Sequence, residues 1–338
     1  MLEAIPMPLV LIGWNERILA ANQSARALLG DSIVGRLYPN AFRQPSLMAC
    51  IDTGLRMAQP GIGRHVIAGA SSESVFRVTV NPVEGEDQSG VLCAFEDISE
   101  QEQLGQFRRD FVANVSHELR TPLTALLGFI ETLQGAAKSD PIARERFLSV
   151  MAREAGRMNR LVGDLLSLSR VEASERVRPT QSIDIAALVR RVGSDLRELA
   201  TSNGTVLTLS GSDDPVLLRA DGDQITQVLS NLFENAVKYG GVGQNVSVIL
   251  THIDLDVVLR APALRIDVID QGEGIDAVHL PRLTERFYRV DSHRSREKGG
   301  TGLGLAIVKH IINRHRGRLA IASVKGEGST FSIILPND

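Results

Sequence analysis

Cysteine is nearly missing from this chain, with two in 338 residues, Cys50 and Cys93. That count excludes a disulfide framework and a cysteine-based zinc site, and it fits a reducing, cytoplasmic compartment. No apolar run comes near the roughly eighteen residues that a membrane-crossing helix needs. The opening MLEAIPMPLVLIGWNE has no basic start and carries Glu3 early, so it does not read as a signal peptide. The expectation is a soluble chain, or one tethered through an anchor outside this sequence. Blocks of like charge are absent too: Lys plus Arg number 37, Asp plus Glu 40, and the net charge is -3. A nucleic-acid binder held by bulk electrostatics is therefore excluded, as is a charged interaction tail. The dipeptide Gly-Lys never occurs, so there is no Walker A loop, and neither Asp-Phe-Gly nor His-Arg-Asp is present. What remains is an ordinary globular composition, 43% hydrophobic, long enough for two or three domains.

Residues 1–97 read as a small mixed α/β domain. Leu9 to Ile12 and Ile18 to Ala21 flank a turn at Asn15-Glu16, the pattern of a hairpin. A short helix from Asn22 to Leu29 ends at Gly30, and alternating strands follow at Val75 to Val80 and Val91 to Glu96, separated by the polar stretch Glu84 to Gly90. Trp14 and few other aromatics offer little to hold a ligand, and His65 reads as an ordinary surface or turn histidine rather than a haem ligand. From Asp97-Ile98-Ser99-Glu100 the period becomes helical, and two long helices are separated by a break at Gly135 to Asp140. The second carries Phe147, Val150, Met158, Leu161, Leu165 and Leu168 at steps of mostly three and four. Two helices alone bury such stripes poorly, so a second copy completing a four-helix bundle is expected over 98–173. Ser174 to Ser182 reads as a linker. Residues 183–338 mix helices (Ala186 to Ala200, Gln224 to Tyr239, Gly304 to Arg316) with strands in no strict βαβ rhythm, which favours a two-layer α/β sandwich over a Rossmann fold.

The first chemical signal is Ser116-His117-Glu118-Leu119-Arg120-Thr121-Pro122. Thr121 stands where a zinc-binding helix would need its second histidine. His117 and Thr121 are four apart and share a helix face. A neutral imidazole is a good nucleophile, and an adjacent carboxylate raises its basicity. Pro122 cannot donate to the Glu118 carbonyl, so a bend is expected beside His117. The second signal is a set of blocks in the last domain. Asn231 and Asn235 lie one turn apart, with Lys238 three residues on. Asn oxygens suit Mg²⁺ and Lys suits phosphate. Asp270-Gln-Gly272-Glu-Gly274 closes an apolar strand, where a carboxylate could accept from an exocyclic amine. Gly300-Thr301-Gly302-Leu303-Gly304 opens a helix, where backbone N–H groups can approach a phosphate. Gly326-Glu-Gly328 reads as a turn. Singly, these blocks also fit a helix surface, a hairpin turn and a flexible loop; together and in this order they are far more specific.

Taken together, the chain resembles a sensor histidine kinase of a two-component system over about residues 98 to 338. Ser116 to Thr124 is similar to the family's H box, Asn231 to Tyr239 to its N box, Asp270 to Ile275 and Gly300 to Leu305 to its glycine boxes, and Glu285-Arg-Phe287-Tyr288-Arg289 to its F box. The first domain resembles a PAS sensor, and Asp97-Ile98-Ser99-Glu100 its acidic exit motif. Phe111 to His117 is similar to the phosphate-regulon sensors. The resemblance implies a GHKL-type ATP-binding domain at 183–338. It implies His117 as phospho-acceptor, becoming phosphohistidine, with Glu118 as its general base and Thr121 in dephosphorylation of the partner. It further implies ATP held by Asn231, Asn235, Lys238, Tyr239, Asp270, Gly272, Gly274, Arg289, Gly300, Thr301, Gly302, Leu303 and Gly304, with Mg²⁺ on Asn235. Arg289 and the glycines of 300–304 would belong to a mobile lid. A response-regulator receiver domain is the implied partner, and the chain an implied homodimer. Thr251 to Ala263 makes the hairpin before Asp270 longer than the family minimum and is expected to be a surface extension. The alternatives are another ATPase of the same nucleotide fold, which has no need of the His117 helix, and a non-catalytic dimeric scaffold, which would predict decayed motifs.

Overall fold

The computed structural model describes residues 2–68, 73–84, 90–135, 137–175, 177–241, 243–291 and 300–337, without the side chains of Leu104, Phe107 and Arg108. Two compact units divide the chain, Met1–Ala113 and Asn114–Asp338.

In the first unit β1 (Leu9–Gly13) and β2 (Ile18–Ala21) make the expected hairpin, and α1 (Gln23–Leu29) follows. Asn22 caps α1: its side-chain oxygen accepts from the Ala25 N–H at 2.9 Å and from the Leu9 N–H at 3.0 Å. Three elements went unread in the sequence: α2 (Tyr38–Ala41), α3 (Pro45–Met57) and β3 (Gly61–Ala68). Long strands β4 (Glu73–Val83) and β5 (Gly90–Asp97) complete an antiparallel sheet of order β2-β1-β5-β4-β3. Of the polar stretch between β4 and β5, residues 85–89 lie outside the described residues. The core beneath the sheet is Val10, Ile12, Phe42, Leu47, Ile51, Val78, Val80 and Phe95, all essentially inaccessible. His65 belongs to it, which corrects the surface reading. It lies on β3, 6% exposed, edge-on to Phe42 and Phe95 and 2.6 Å from the Gln44 amide oxygen. Burial pushes its pKa down.

α4 (Ser99–Gln134) starts in the first unit and continues, helical throughout Pro122, into the second. Asp97 accepts from the Ser99 N–H at 2.9 Å and the Ser99 hydroxyl at 2.6 Å, and those bonds hold its carboxyl below the usual range. α5 (Pro141–Ser174) begins as the sequence indicates, with Asp140 accepting from the N–H groups of Ile142 and Ala143, both at 3.0 Å.

The remainder of the second unit is a sheet with helices on one face. β6 (Ser182–Asp184) pairs with β8 (Leu217–Arg219), two strands too short to show alternation, so the linker ends where β6 begins. The helix expected over Ala186 to Ala200 is two helices, α6 (Ile185–Asp195) and α7 (Arg197–Ser202), broken where Leu196 leaves helical geometry at ψ 2. β7 (Val206–Ser210), β9 (Asn245–Asp256), β10 (Ala261–Asp270), β11 (Arg318–Val324) and β12 (Gly328–Pro336) form a sheet of order β11-β12-β10-β9-β7, parallel only at β7–β9. α8 (Gly222–Tyr239) and α9 (Gly304–Arg314) pack against this sheet and each other. α8 turns Ile225, Leu229, Leu232, Phe233 and Ala236 inward, leaving Asn231, Asn235 and Lys238 on a half-exposed flank. Phe233 alone, fully buried, is worth about 3–5 kcal/mol against alanine. The long β9–β10 hairpin is a surface extension as expected: Val257 and Val258 at its tip are exposed, while Asp256 is anchored by Arg318 at 2.9 Å.

Candidate active site

His117 projects from α4 as an exposed side chain. The Thr121 hydroxyl, one turn on, donates to the His117 carbonyl at 3.1 Å. Glu118 is half-buried and engaged: its Oε2 accepts from Arg157 of α5 at 2.6 Å and from Arg289 at 3.4 Å. Arg289 also donates to the Gly300 carbonyl at 2.6 Å. The sequence placed Arg289 only with the nucleotide blocks; the structure also puts it against the carboxylate beside His117.

The other blocks converge at the end of the sheet. Asp270 closes β10 nearly buried, and its Oδ1 accepts from the Gly272 N–H at 2.9 Å. Burial pushes this carboxyl up, and hydrogen bonds from Gly272 and Ser329 partly offset that. The end of α8 presses on the same turn: a Cβ on Gly272 would lie 2.2 Å from the Tyr239 carbonyl oxygen. Gly328 was read as a mere turn. At φ 111 it lets β12 begin against Asp270, whose carbonyl oxygen a Cβ would meet at 2.1 Å. Gly274, at φ 64, is similarly closed in by the Val324 carbonyl. The start of α9 faces α8, since a Cβ on Gly304 would meet Asn231 Oδ1 at 3.1 Å. Lys238 pairs with Glu234 at 2.6 Å.

Residues 292–299 of the expected lid lie outside the described residues, but its two ends are fastened. The Phe287 N–H donates to the Gly302 carbonyl at 2.8 Å, and both residues have positive φ, 63 and 75. Thr301, also buried, donates to Asp164 Oδ2 of α5 at 2.6 Å and accepts from the Leu303 N–H at 3.2 Å. Burial raises the pKa of Asp164. Further along α5, Glu172 meets Arg286, and Glu175 lies 3.1 Å from His310 of α9. Arg157 and Asp164 escaped the sequence reading, and the turn read at Gly326-Glu-Gly328 is present but its closeness to Asp270 was not foreseen. The signal for the first two was charge inside an apolar stripe, Arg157 beside Met158 and Asp164 beside Leu165.

The residues fit the groups the motifs imply. Asn231 Nδ2 is buried without a hydrogen-bond partner, a spare donor where α8 meets the start of α9. Among the described residues no cluster of three His, Cys, Asp or Glu could cage a metal. Mg²⁺ carried on phosphate oxygens and water needs only one or two protein ligands, which an Asn oxygen can supply.

Residues 107–174 match the family described as His Kinase A (phospho-acceptor) domain, and residues 220–338 match the histidine kinase-, DNA gyrase B-, and HSP90-like ATPase family. The chain is 41% identical over 245 residues to the phosphate regulon sensor protein PhoR of Pseudomonas aeruginosa, covering 71% of this chain and 53% of that one. It is 38% identical over 266 residues to the sensor histidine kinase WalK of Bacillus subtilis, covering 78% and 42%. The chain belongs to the sensor histidine kinases of two-component systems. This sensor kinase spans about half the length of the curated relatives it matches. Among solved structures it is similar to the Acinetobacter baumannii histidine kinase AdeS, with TM-score 0.51, 26% identity, and 66% of this chain and 98% of that one covered. The fold of the histidine kinase ThkA, solved in complex with the response regulator TrrA, is also similar, with TM-score 0.55 at 20% identity over 98% and 96% of the two chains. No helix among the described residues is long and apolar enough to cross a membrane.

Proposed function

We propose that this sensor kinase moves the γ-phosphoryl group of ATP onto His117 and then onto an aspartate of a response-regulator receiver domain, and that it also dephosphorylates that regulator. The observation that carries the reading is an exposed His117 whose neighbour Glu118 is held by guanidinium groups from α5 and from the F box. The unprotonated ring nitrogen attacks the γ-phosphorus, the bond to the leaving oxygen of ADP breaks, and Glu118 takes the proton from the other nitrogen. In the second step the receiver carboxylate attacks the same phosphorus and the N–P bond breaks. Asp270 would accept from the adenine amine, Tyr239 would stack near the ring, Lys238 would meet phosphate, and the backbone N–H groups from Gly300 to Gly304 would lie along the phosphates. Asn235, supported by Asn231, would hold Mg²⁺. That ion supplies charge neutralisation for the phosphates when bound. Thr121, on the face of His117, can position a water for hydrolysis of the acyl phosphate.

The organisation that goes with this reading is a PAS-like sensor at 1–97, a dimerisation and phosphotransfer hairpin at 98–173 and an ATP-binding domain at 183–338. The antiparallel order β2-β1-β5-β4-β3 supports the first. Exposed Leu123, Leu127, Leu148 and Leu166 on α4 and α5 support a second copy completing a four-helix bundle. Purified chain incubated with γ-labelled ATP and Mg²⁺ should acquire an acid-labile, alkali-stable phosphoryl adduct. An acid-stable adduct, or none, refutes the proposal.

A further inference from the structure

We infer that Arg157 is a positioning residue for the phosphorylation of His117, acting through Glu118. The inference rests on the reading of Glu118 as the base. Arg157 projects from α5 across the hairpin and is only 11% exposed in its side chain. Its Nη2 donates to Glu118 Oε2 at 2.6 Å, while its Nη1 lies 3.9 Å from Glu154, one turn earlier on the same helix. One planar guanidinium is thus set between two carboxylates, hydrogen-bonded to Glu118 and in looser ion-pair contact with Glu154.

The geometry separates this contact from an ordinary ion pair in two ways. Both arginines that reach Glu118 use the same oxygen, Oε2. A glutamate has three side-chain torsions, and a misplacement of about 1 Å at a reacting group can cost a hundredfold in rate. The second difference is one of origin. Arg289 comes from the F box, so its contact at 3.4 Å depends on where the nucleotide-binding elements lie against the hairpin. Arg157 belongs to the hairpin that carries His117, so its hold on Glu118 survives any movement of those elements.

The test compares Arg157→Gln, Arg157→Lys, Glu118→Gln and the double variant Glu118→Gln/Arg157→Gln in the full chain. Initial rates of autophosphorylation are measured against ATP concentration, with melting midpoints alongside. Glu118→Gln should lower kcat about a hundredfold, the scale of a general base. Arg157→Gln should lower kcat roughly tenfold to a hundredfold with KM for ATP within about twofold, and Arg157→Lys should restore part of the loss. The double variant should be no slower than Glu118→Gln alone, because the arginine has nothing left to position. Wild-type kcat in Arg157→Gln, even with a lower melting midpoint, overturns the inference, as do multiplicative losses in the double variant. Wild-type kcat in Glu118→Gln overturns the reading of the base itself, a distinct result. Should Arg157→Gln not fold, Arg157→Lys carries the test: a reduced kcat at constant KM supports the role and an unchanged kcat refutes it.

Discussion

Gly302→Ala should disable nucleotide binding while leaving the fold intact. Gly302 holds φ 75, and a Cβ there would lie 2.9 Å from the Phe287 Cα and 3.0 Å from its carbonyl carbon, both backbone atoms that cannot swing away. The left-handed conformation costs an L-residue about 1–2 kcal/mol. Forcing a methyl against fixed backbone adds about 1–3 kcal/mol. Phe287 cannot retreat cheaply, because it is itself at φ 63 and its N–H is bonded to the Gly302 carbonyl at 2.8 Å. The total of about 2–5 kcal/mol is relieved by opening the stem that joins the F box to the second glycine box. Re-forming that stem on binding then charges the same free energy to the ligand. At about 1.4 kcal/mol per tenfold, ATP affinity falls at least roughly thirtyfold. The opening is local, so the melting midpoint without nucleotide should move by only a few degrees. Titration calorimetry with ATP and Mg²⁺, beside a thermal melt, reads both quantities. Affinity within about threefold of wild type would refute the reasoning, since the stem would then be unnecessary for binding.

Three further outcomes follow from the same geometry. Asp270→Asn keeps an acceptor for the Gly272 N–H but loses the charge offered to adenine, so ATP should bind about tenfold to a hundredfold more weakly; unchanged titration removes Asp270 from the site. Thr121→Ala should keep most autophosphorylation and lose most phosphatase activity toward the phosphorylated regulator. In this structure the hydroxyl donates to the His117 carbonyl of its own helix, so a parallel loss of both activities with a lower melting midpoint would make it a packing residue. The stability that neutral buried histidines contribute should be lost as pH drops below about 6.5, the unfolded histidine value. Buried His315 accepts from the Asp221 N–H at 3.0 Å and lies 2.8 Å from the Ile311 carbonyl, and burial lowers its pKa. The unfolded chain therefore binds the proton first and gains from acid. His65 acts in the same direction. The raised carboxyls of Asp164 and Asp270 act oppositely, so urea melts from about pH 7.5 to 5.5 compare wild type with His315→Gln; a variant with the same pH dependence as wild type contradicts the argument.

The motifs were legible because their chemistry is local. A histidine beside a glutamate, two asparagines one turn apart, and glycines after an apolar strand all announce themselves over a few residues. Helix starts were legible for the same reason: Asn22 and Asp140 cap their own chain within three residues. What stayed hidden depends on partners distant in sequence. Arg157 meets Glu118 across thirty-nine positions and Thr301 meets Asp164 across 137, and no periodicity reports such pairs. β6 and β8 are three residues each, too short to alternate. His65 was read as a surface or turn residue because its strand, β3, went unread; strand alternation turns it into the core between Phe42 and Phe95. Gly328 looked like half of a turn, but its lack of a side chain is what admits β12 beside Asp270.

The central claim is that one exposed imidazole carries the phosphoryl group. The chain incubated with ATP and Mg²⁺, digested at alkaline pH and mapped by mass spectrometry, should carry the added phosphate on His117. In His117→Gln the adduct should disappear while ATP titration stays close to wild type. Phosphate on another residue, or an adduct that persists in His117→Gln, would contradict the account.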